Sequence, residues 1–136
     1  MTEDLERLGL IKKLPVDQKK VHASCDLAHR DIKTAHYMLD SDYDWAYSIA
    51  YNAVLQAGRA LMFSKGYRPA GANQHISVVK FAERYLDKDD IIIFDRMRRK
   101  RNCTVYDAAG SITESEANFA VGQAEILVRK IEGYLS

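Results

Sequence analysis

The stretch DYDWAYSIAYNAVLQAGRALMFSK, residues 42–65, decides the fold of this chain. Its apolar residues recur at intervals of three and four, which is the spacing of one face of an α-helix rather than of a β-strand. The residues that share one line of this helix are Trp45, Ile49, Ala53, Ala57 and Ala60. Because most of these side chains are small, the pattern predicts a long central helix that packs closely on more than one side.

The segments on either side of this helix also have helical spacing. Residues 17–40 predict a long helix whose apolar stripe consists of Val21, Cys25, Ala28, Ile32, Ala35 and Leu39. Residues 65–71 contain two glycines and a proline, so the chain must turn there before a predicted helix over residues 73–86. A shorter helix is predicted before Pro15.

Two more helices are predicted toward the end of the sequence. One begins at about residue 89, and the last begins at Thr113, where Thr113 and Glu116 have the spacing of a capping box. The stripe of the last helix consists of Ala117, Ala120, Ala124, Leu127, Ile131 and Tyr134. Long amphipathic helices with short connections pack side by side. The predicted fold class is therefore all-α, an up-and-down antiparallel bundle of four or five helices.

The composition is that of an ordinary globular domain. The chain has 136 residues, of which 47% are hydrophobic and 29% charged, so we treat residues 1–136 as one domain with a core over about residues 17–135. No run approaches the roughly 20 apolar residues that a membrane helix needs. The two cysteines suggest no disulfide framework, and the start MTEDLERLGL is too acidic for a signal peptide. We expect a cytoplasmic protein.

Neither a metal nor a cofactor is expected from the motifs. His22, His29 and His36 recur every seven residues, but that step climbs about 10.5 Å along a helix, too far for two of them to bind one zinc ion. We expect these histidines to flank the core. Residues 40–44 resemble the start of a calcium loop, yet Trp45 stands where such a loop needs glycine. Helix capping by Ser41 or Asp42 explains the segment.

The run RMRRKR, residues 96–101, places five basic side chains in six successive positions. At about 100° per residue they spread around the whole helix, so they cannot all face solvent. Arg101 lies four residues after Met97 and seven after Phe94, in the middle of an apolar face. It is therefore expected to point toward the core or a partner. The basic residues expected in solvent, where they could attract a polyanion, are Arg96, Arg99 and Lys100.

An inward-facing Arg101 requires a partner. Arginine does not lose its charge by titration, and burying it unpaired costs several kcal/mol, of order 3 to 5 when one partner of a pair is missing. The partner can be an aspartate in a structural ion pair, a group across a subunit interface, or a phosphate in a cleft. The sequence leaves these alternatives open.

Two stretches of the chain resemble the HEPN family, helical domains that occur beside minimal nucleotidyltransferases and in several RNA-cleaving systems. The first is AYNA at residues 50–53, with the RAL and GYRP that follow it. The second is RRKRN at residues 98–102, followed by Tyr106. It is similar to the family's signature of an arginine, often followed by a polar residue, with a histidine four to six positions on. The similarity spans roughly residues 17–135.

The resemblance gives Arg101 the place of the signature arginine, Asn102 that of the polar residue, and Tyr106 that of the histidine. In RNA-cleaving members the histidine belongs to a composite site formed across a dimer. A tyrosine, with a pKa of about 10, is a poor proton acceptor at neutral pH. Tyrosine variants resemble the branch in which the helical protein binds nucleotide or is acted upon by the nucleotidyltransferase. The implied ligand-binding residues are Arg98, Arg99, Arg101, Asn102 and Tyr106.

Three functions follow as hypotheses. The first is a homodimer that binds nucleotide or RNA and serves as the partner or substrate-binding component of a minimal nucleotidyltransferase, in a toxin–antitoxin-like module. The second is a metal-independent endoribonuclease toxin with Arg101, Asn102 and Tyr106 as catalytic residues. The third is a purely structural dimerisation module. Arg101 and Tyr106 lie about 140° apart on a continuous helix, so they meet only if the helix unwinds near residues 104–107. Gly110 is free to adopt a left-handed turn after it.

Overall fold

A computed structural model describes the backbone of residues 2–106 and 110–135 and the side chains of residues 2–102 and 110–135. Within these residues the chain forms six helices and two short strands. In chain order the elements are α1 (Thr2–Arg7), β1 (Ile11–Lys13), α2 (Gln18–Met38), α3 (Tyr43–Ser64), β2 (Tyr67–Pro69), α4 (Gln74–Ala82), α5 (Lys88–Tyr106) and α6 (Glu114–Glu132). The fold is the all-α bundle expected from the sequence. None of the helices in this described part of the chain is long and apolar enough to cross a membrane.

Side-chain caps set the starts of four helices. The carboxylate of Asp17 accepts from the backbone N–H of Lys19 before α2, and that of Asp42 accepts from Trp45 N before α3. Asn73 caps α4 in the same way. Thr113 and Glu116 form the predicted capping box at the start of α6. Each cap satisfies backbone donors that the helix itself leaves unpaired, which is why the predicted starts are confirmed within a residue or two.

The helix α3 lies at the centre of the bundle and packs against α2, α4, α5 and α6. Its small residues are fully or almost fully buried: Ala46, Ala50, Ala53, Ala57 and Ala60. At Gly58 the approach is so close that an added Cβ would lie 2.4 Å from Cγ1 of Val78 in α4. The prediction of a central helix with close packing on several sides is confirmed.

Two large side chains that the helical stripes placed in the core are exposed. Trp45 is 57% exposed because the buried line at the start of α3 runs through Ala46 and Ala50, about 100° around the helix. Tyr134 is 45% exposed because α6 ends at Glu132, so its helical spacing no longer applies. These two assignments to the core were wrong.

A two-stranded antiparallel sheet joins the N-terminal segment to the turn after α3, and the sequence patterns did not indicate it. Ile11 pairs with Pro69 and Lys13 with Tyr67. The turn predicted over residues 65–71 therefore contains a strand, with Gly66 and Gly71 in left-handed conformations beside it. Strands of three residues are too short to display an alternating pattern.

His29 and His36 of α2 lie at its boundary with α6. His29 Nε2 lies 2.8 Å from Oε2 of Glu132, and His36 contacts Glu125. Both imidazoles are more than half exposed. Each histidine therefore meets a carboxylate on the neighbouring helix at the edge of the core.

Candidate functional site

The basic run lies in the second half of α5, and one face of this helix enters the core. Phe94 is fully buried and Met97 is 3% exposed, as the helical spacing predicts. Arg101 lies one turn beyond Met97 on the same face and is half-buried. Arg96 and Arg99, at other angles on the helix, are exposed. The period of the helix thus separates an inward arginine from its solvated neighbours.

The guanidinium of Arg101 is poorly satisfied. Its Nε is buried and has no hydrogen-bond partner among the described residues. Nη1 donates to Oδ1 of Asn102 over 3.4 Å, a long and weak contact, and Cζ lies 5.9 Å from the ring centroid of Tyr51, within cation–π range. No carboxylate among the described residues forms an ion pair with Arg101. The structural ion pair considered from the sequence is not found there.

Tyr51 of α3 lies next to the guanidinium of Arg101. It is completely buried, and its ring lies 6.1 Å from that of Phe94 and 5.7 Å from that of His75. Its hydroxyl oxygen lies 3.0 Å from Nδ1 of His75. Burial raises the pKa of Tyr51 well above its usual range, and nearby arginines, Arg98 first, offset only part of this effect. Tyr51 therefore stays a neutral phenol at neutral pH.

His75, in the first turn of α4, completes the cluster. Burial lowers the pKa of its imidazole below 6.5, and the charges of Arg101, Arg59 and Arg98 lower it further. The imidazole is therefore neutral at neutral pH, and the nearby guanidinium charges favour this neutral form. A neutral imidazole retains one nitrogen that donates and one that accepts. The cluster combines concentrated positive charge with a group able to take up a proton.

Three other basic residues of α5 have carboxylate partners: Arg98, Arg99 and Lys100. Arg98 donates from Nε to Oδ1 of Asp95 at 3.0 Å and is 13% exposed, while Arg99, 66% exposed, lies with its Nε 3.3 Å from the other oxygen of Asp95. Lys100 lies 3.3 Å from Glu116 of α6. Of the proposed ligand-binding residues, Arg98, Arg101 and Asn102 thus lie around Tyr51 and His75, whereas Arg99 faces solvent.

The Tyr106 side chain, which the sequence hypotheses also use, lies outside the described residues. The backbone of α5 remains helical through Tyr106, so the unwinding that would bring Arg101 and Tyr106 together does not occur before that residue. Gly110 has the expected left-handed conformation, with φ of 78°. Asp44 of α3 fixes the chain beyond it, because its carboxylate accepts the backbone N–H groups of Gly110 and Ile112.

Three residues of the cluster were not identified as site residues from the sequence. They are Tyr51, Arg59 and His75. Tyr51 and Arg59 lie within the stretches that resemble the HEPN family, but no role followed from the motif. His75 follows the predicted helix start at Asn73 by two positions, which gives no indication of what it contacts. Its contact with Tyr51 spans 24 residues and depends on the packing of α4 against α3.

Comparisons with known proteins agree with this architecture. The family model described as the HEPN domain matches residues 21–134. Two solved structures are similar to the chain, each covering 85% of it and 98% of the other chain. One is TT1696 from Thermus thermophilus, with 18% identity and a TM-score of 0.70, and the other is ST0689, an archaeal HEPN homologue, with 16% identity and a TM-score of 0.69.

A comparison with curated protein sequences gives no match. The two structural similarities, at these identities, concern the fold. The family model spans nearly the whole chain, including α2 to α6 and all described residues of the Arg101 cluster. The chain belongs to the HEPN domain family.

Proposed function

We propose that this protein binds RNA, and that Arg101 holds a phosphate of the strand. The observation that carries the proposal is the buried Nε of Arg101, a charged donor without an acceptor. Leaving such a donor unsatisfied costs about 1–3 kcal/mol or more. A phosphate oxygen that reaches the guanidinium as the side chain reorients recovers this cost and adds a charge-assisted hydrogen bond.

The surroundings of Arg101 favour an anion over a neutral ligand. Arg59 and Arg98 add positive charge to the same cluster, as their effects on the pKa values of Tyr51 and His75 indicate. Asp95, which pairs with Arg98, is the nearest compensating carboxylate along α5. The Tyr51 ring lies within cation–π range of the Arg101 guanidinium. Asn102 then serves as a polar neighbour of the bound phosphate rather than as its main ligand.

Dimerisation and a protein partner belong to the same proposal. We place the homodimer contact on α5 and the adjoining α4, and treat the toxin–antitoxin-like pairing with a minimal nucleotidyltransferase as the biological setting implied by the family resemblance. In that setting the Tyr106 oxygen would form a bond to the α-phosphorus of a nucleoside triphosphate while the bond to pyrophosphate breaks, and the phenolic proton would pass to solvent. Incubation with a minimal nucleotidyltransferase and a nucleoside triphosphate tests the pairing: covalent modification should appear on the unmodified protein and be lost in Tyr106→Phe.

Metal-independent RNA cleavage is a second candidate, favoured by the neutral imidazole of His75 beside Arg101. When Nδ1–H donates to the Tyr51 hydroxyl oxygen, Nε2 keeps a lone pair that can accept the proton of a ribose 2′-hydroxyl. The O2′–P bond then forms, the P–O5′ bond breaks, and O5′ takes a proton from water. The products are a 2′,3′-cyclic phosphate and a 5′-hydroxyl. Cleavage by the unmodified protein, lost in His75→Gln, would establish this activity.

RNA binding is tested by fluorescence anisotropy with a labelled oligoribonucleotide at fixed salt. Arg101→Ala should weaken binding by about tenfold or more, since one oriented, desolvated charge contact is worth roughly 1.5–3 kcal/mol. Arg99→Ala is the matched control, because it removes the same group from a solvent-exposed position on the same helix and should cost about threefold or less. Equal losses would indicate diffuse electrostatics and overturn the oriented site.

A further inference from the structure

A second, open cleft adjoins the Arg101 cluster where the β1–β2 sheet meets α2, α3 and the start of α4. Its volume is about 440 Å³, within the usual range of ligand sites. Its charged, amide and aromatic lining residues are Lys20, Gln56, Arg59, Phe63, Arg68 and Gln74. The cleft thus combines three cations, two amides and one aromatic ring.

No acidic residue lines this cleft, although the whole chain is close to neutral with a net charge of +1. Other cavities on the described surface contain carboxylates, such as Asp95 between α4 and α5 and Asp90 beside α6. Among the described residues, Lys20, Arg59 and Arg68 form no ion pair. The positive charge of the cleft is therefore not neutralised from within the described chain.

Arg59 connects the cleft to the Arg101 cluster. It lines the cleft and also lies close enough to Tyr51 and His75 for its charge to act on both. Along α3 it follows Tyr51 by eight residues, which is about 12 Å of helix. Gln74, another lining residue, directly precedes His75. Arg59 therefore contributes its charge both to the cleft and to the Arg101 cluster.

We propose that this cleft binds the nucleotides that follow a trinucleotide segment bound at Arg101, so that single-stranded RNA runs from α5 toward the β1–β2 sheet. Lys20 and Arg68 contact the next phosphates, Phe63 provides a surface on which a base stacks, and the amides face base edges. A basic groove that follows the backbone, with an aromatic ring for stacking, is the usual arrangement in proteins that bind single strands. The inference rests on the proposed function.

The test compares a labelled trinucleotide with a labelled nonanucleotide of RNA. The double variant Lys20→Gln, Arg68→Gln should bind the trinucleotide as the unmodified protein does, but the nonanucleotide about tenfold more weakly. The slope of log affinity against log salt for the nonanucleotide should fall by about 1.4, since each lost contact to a single strand contributes roughly 0.7. The matched control, Lys33→Gln, Arg84→Gln, removes the same charges from exposed positions elsewhere, and melting curves check that all variants fold.

Several results would overturn the inference. They are an unchanged nonanucleotide affinity in the cleft variant, an equal loss in the control variant, or competition by polyglutamate as effective as that by RNA. If Arg101→Ala weakens trinucleotide binding while the cleft variant binds both oligonucleotides normally, only the proposed binding role of the cleft is wrong. If Arg101→Ala leaves trinucleotide binding unchanged, the proposed function is wrong and the cleft's role as its extension falls with it.

Discussion

At the scale of single residues, Arg98 and Arg99 of α5 differ from Arg101 in that a carboxylate pairs with them. Asp95 lies three and four residues before Arg98 and Arg99, where helix geometry lets it pair with both. Arg101 lies beyond its reach and faces the ring of Tyr51 instead. Among the described residues of α5, Arg101 is thus a permanent charge held partly buried without an ion pair, which is why we assign the ligand contact to it.

The imidazole of His75 makes the stability of the protein depend on pH. Its pKa in the folded chain lies below the unfolded value of about 6.5, so between the two values the unfolded chain binds more protons and stability rises with pH. We predict that the free energy of unfolding decreases as the pH falls through about 6.5, and that His75→Gln removes part of this decrease. Urea unfolding at pH values on either side of this range measures the effect.

The control for this prediction is His22→Gln, which removes an imidazole from an exposed position on α2. It should show the same loss of stability on acidification as the unmodified protein. If His75→Gln and His22→Gln have indistinguishable pH profiles, His75 is not the buried, neutral group that the candidate site requires.

At the scale of elements, α3 organises the bundle because its small residues let four other helices approach it. Gly58 is the closest point, since a Cβ there would lie 2.4 Å from Val78 Cγ1. We predict that Gly58→Ala destabilises the protein by about 1–3 kcal/mol, because overpacking outweighs the gain in helix propensity. Chemical denaturation measures this directly.

Gly122→Ala is the matched control in α6, where nothing lies within 4 Å of an added Cβ. There the substitution should stabilise the protein by about 0.5–1 kcal/mol, through helix propensity alone. A stabilising Gly58→Ala would mean that α3 and α4 are not packed as closely as described.

Helix positions could be predicted from the sequence because their signals are local. The caps at Asp17, Asp42 and Thr113 each act on backbone groups two or three residues away, so spacing alone reveals them. The β1–β2 pairing joins segments more than fifty residues apart in the chain and depends on how the bundle closes. Sequence periodicity carries no information about such a contact.

For the candidate site as well, the local feature could be predicted from the sequence and the long-range contacts could not. The inward position of Arg101 follows from the helical period of α5, and the sequence alone was sufficient to predict it. The roles of Tyr51 and His75 depend on α3 and α4 coming together, which brings a fully buried ring and a histidine to the same guanidinium. A lone histidine near a helix start gives no signal of such a contact. The sequence therefore predicted the inward position of Arg101, but it did not predict that Tyr51 and His75 lie close to it.

At the scale of the whole molecule, a groove between α4 and α5 suits the proposed dimer. Its floor is apolar, and its volume is about 320 Å³. Its rim carries both signs of charge, including Lys80, Glu83 and Asp95, so two copies related by a two-fold axis can place opposite charges together. Ile92 is 44% exposed at this groove. Met97, on the same helix, is buried within one chain and is not available to the interface.

We predict that Ile92→Glu prevents the proposed dimer from forming, because it places a charge in the apolar centre of the proposed two-fold contact. Sedimentation equilibrium at micromolar concentration measures the mass. Phe119→Glu is the control, since Phe119 is 56% exposed on α6, away from the groove, and this variant should remain dimeric. A monomeric unmodified protein, or a dimer that persists in Ile92→Glu, contradicts the proposed interface.

The central claim is that the guanidinium of Arg101 holds the phosphate of RNA. The most direct test is the NMR resonance of its Nε–H group in arginine-labelled protein, assigned as the peak missing from Arg101→Lys. Titration with the trinucleotide should shift this peak and saturate at the dissociation constant measured by anisotropy, while the peak of Arg99 changes little. If the Arg101 resonance stays in place at RNA concentrations that saturate binding, the phosphate lies elsewhere and the account is wrong.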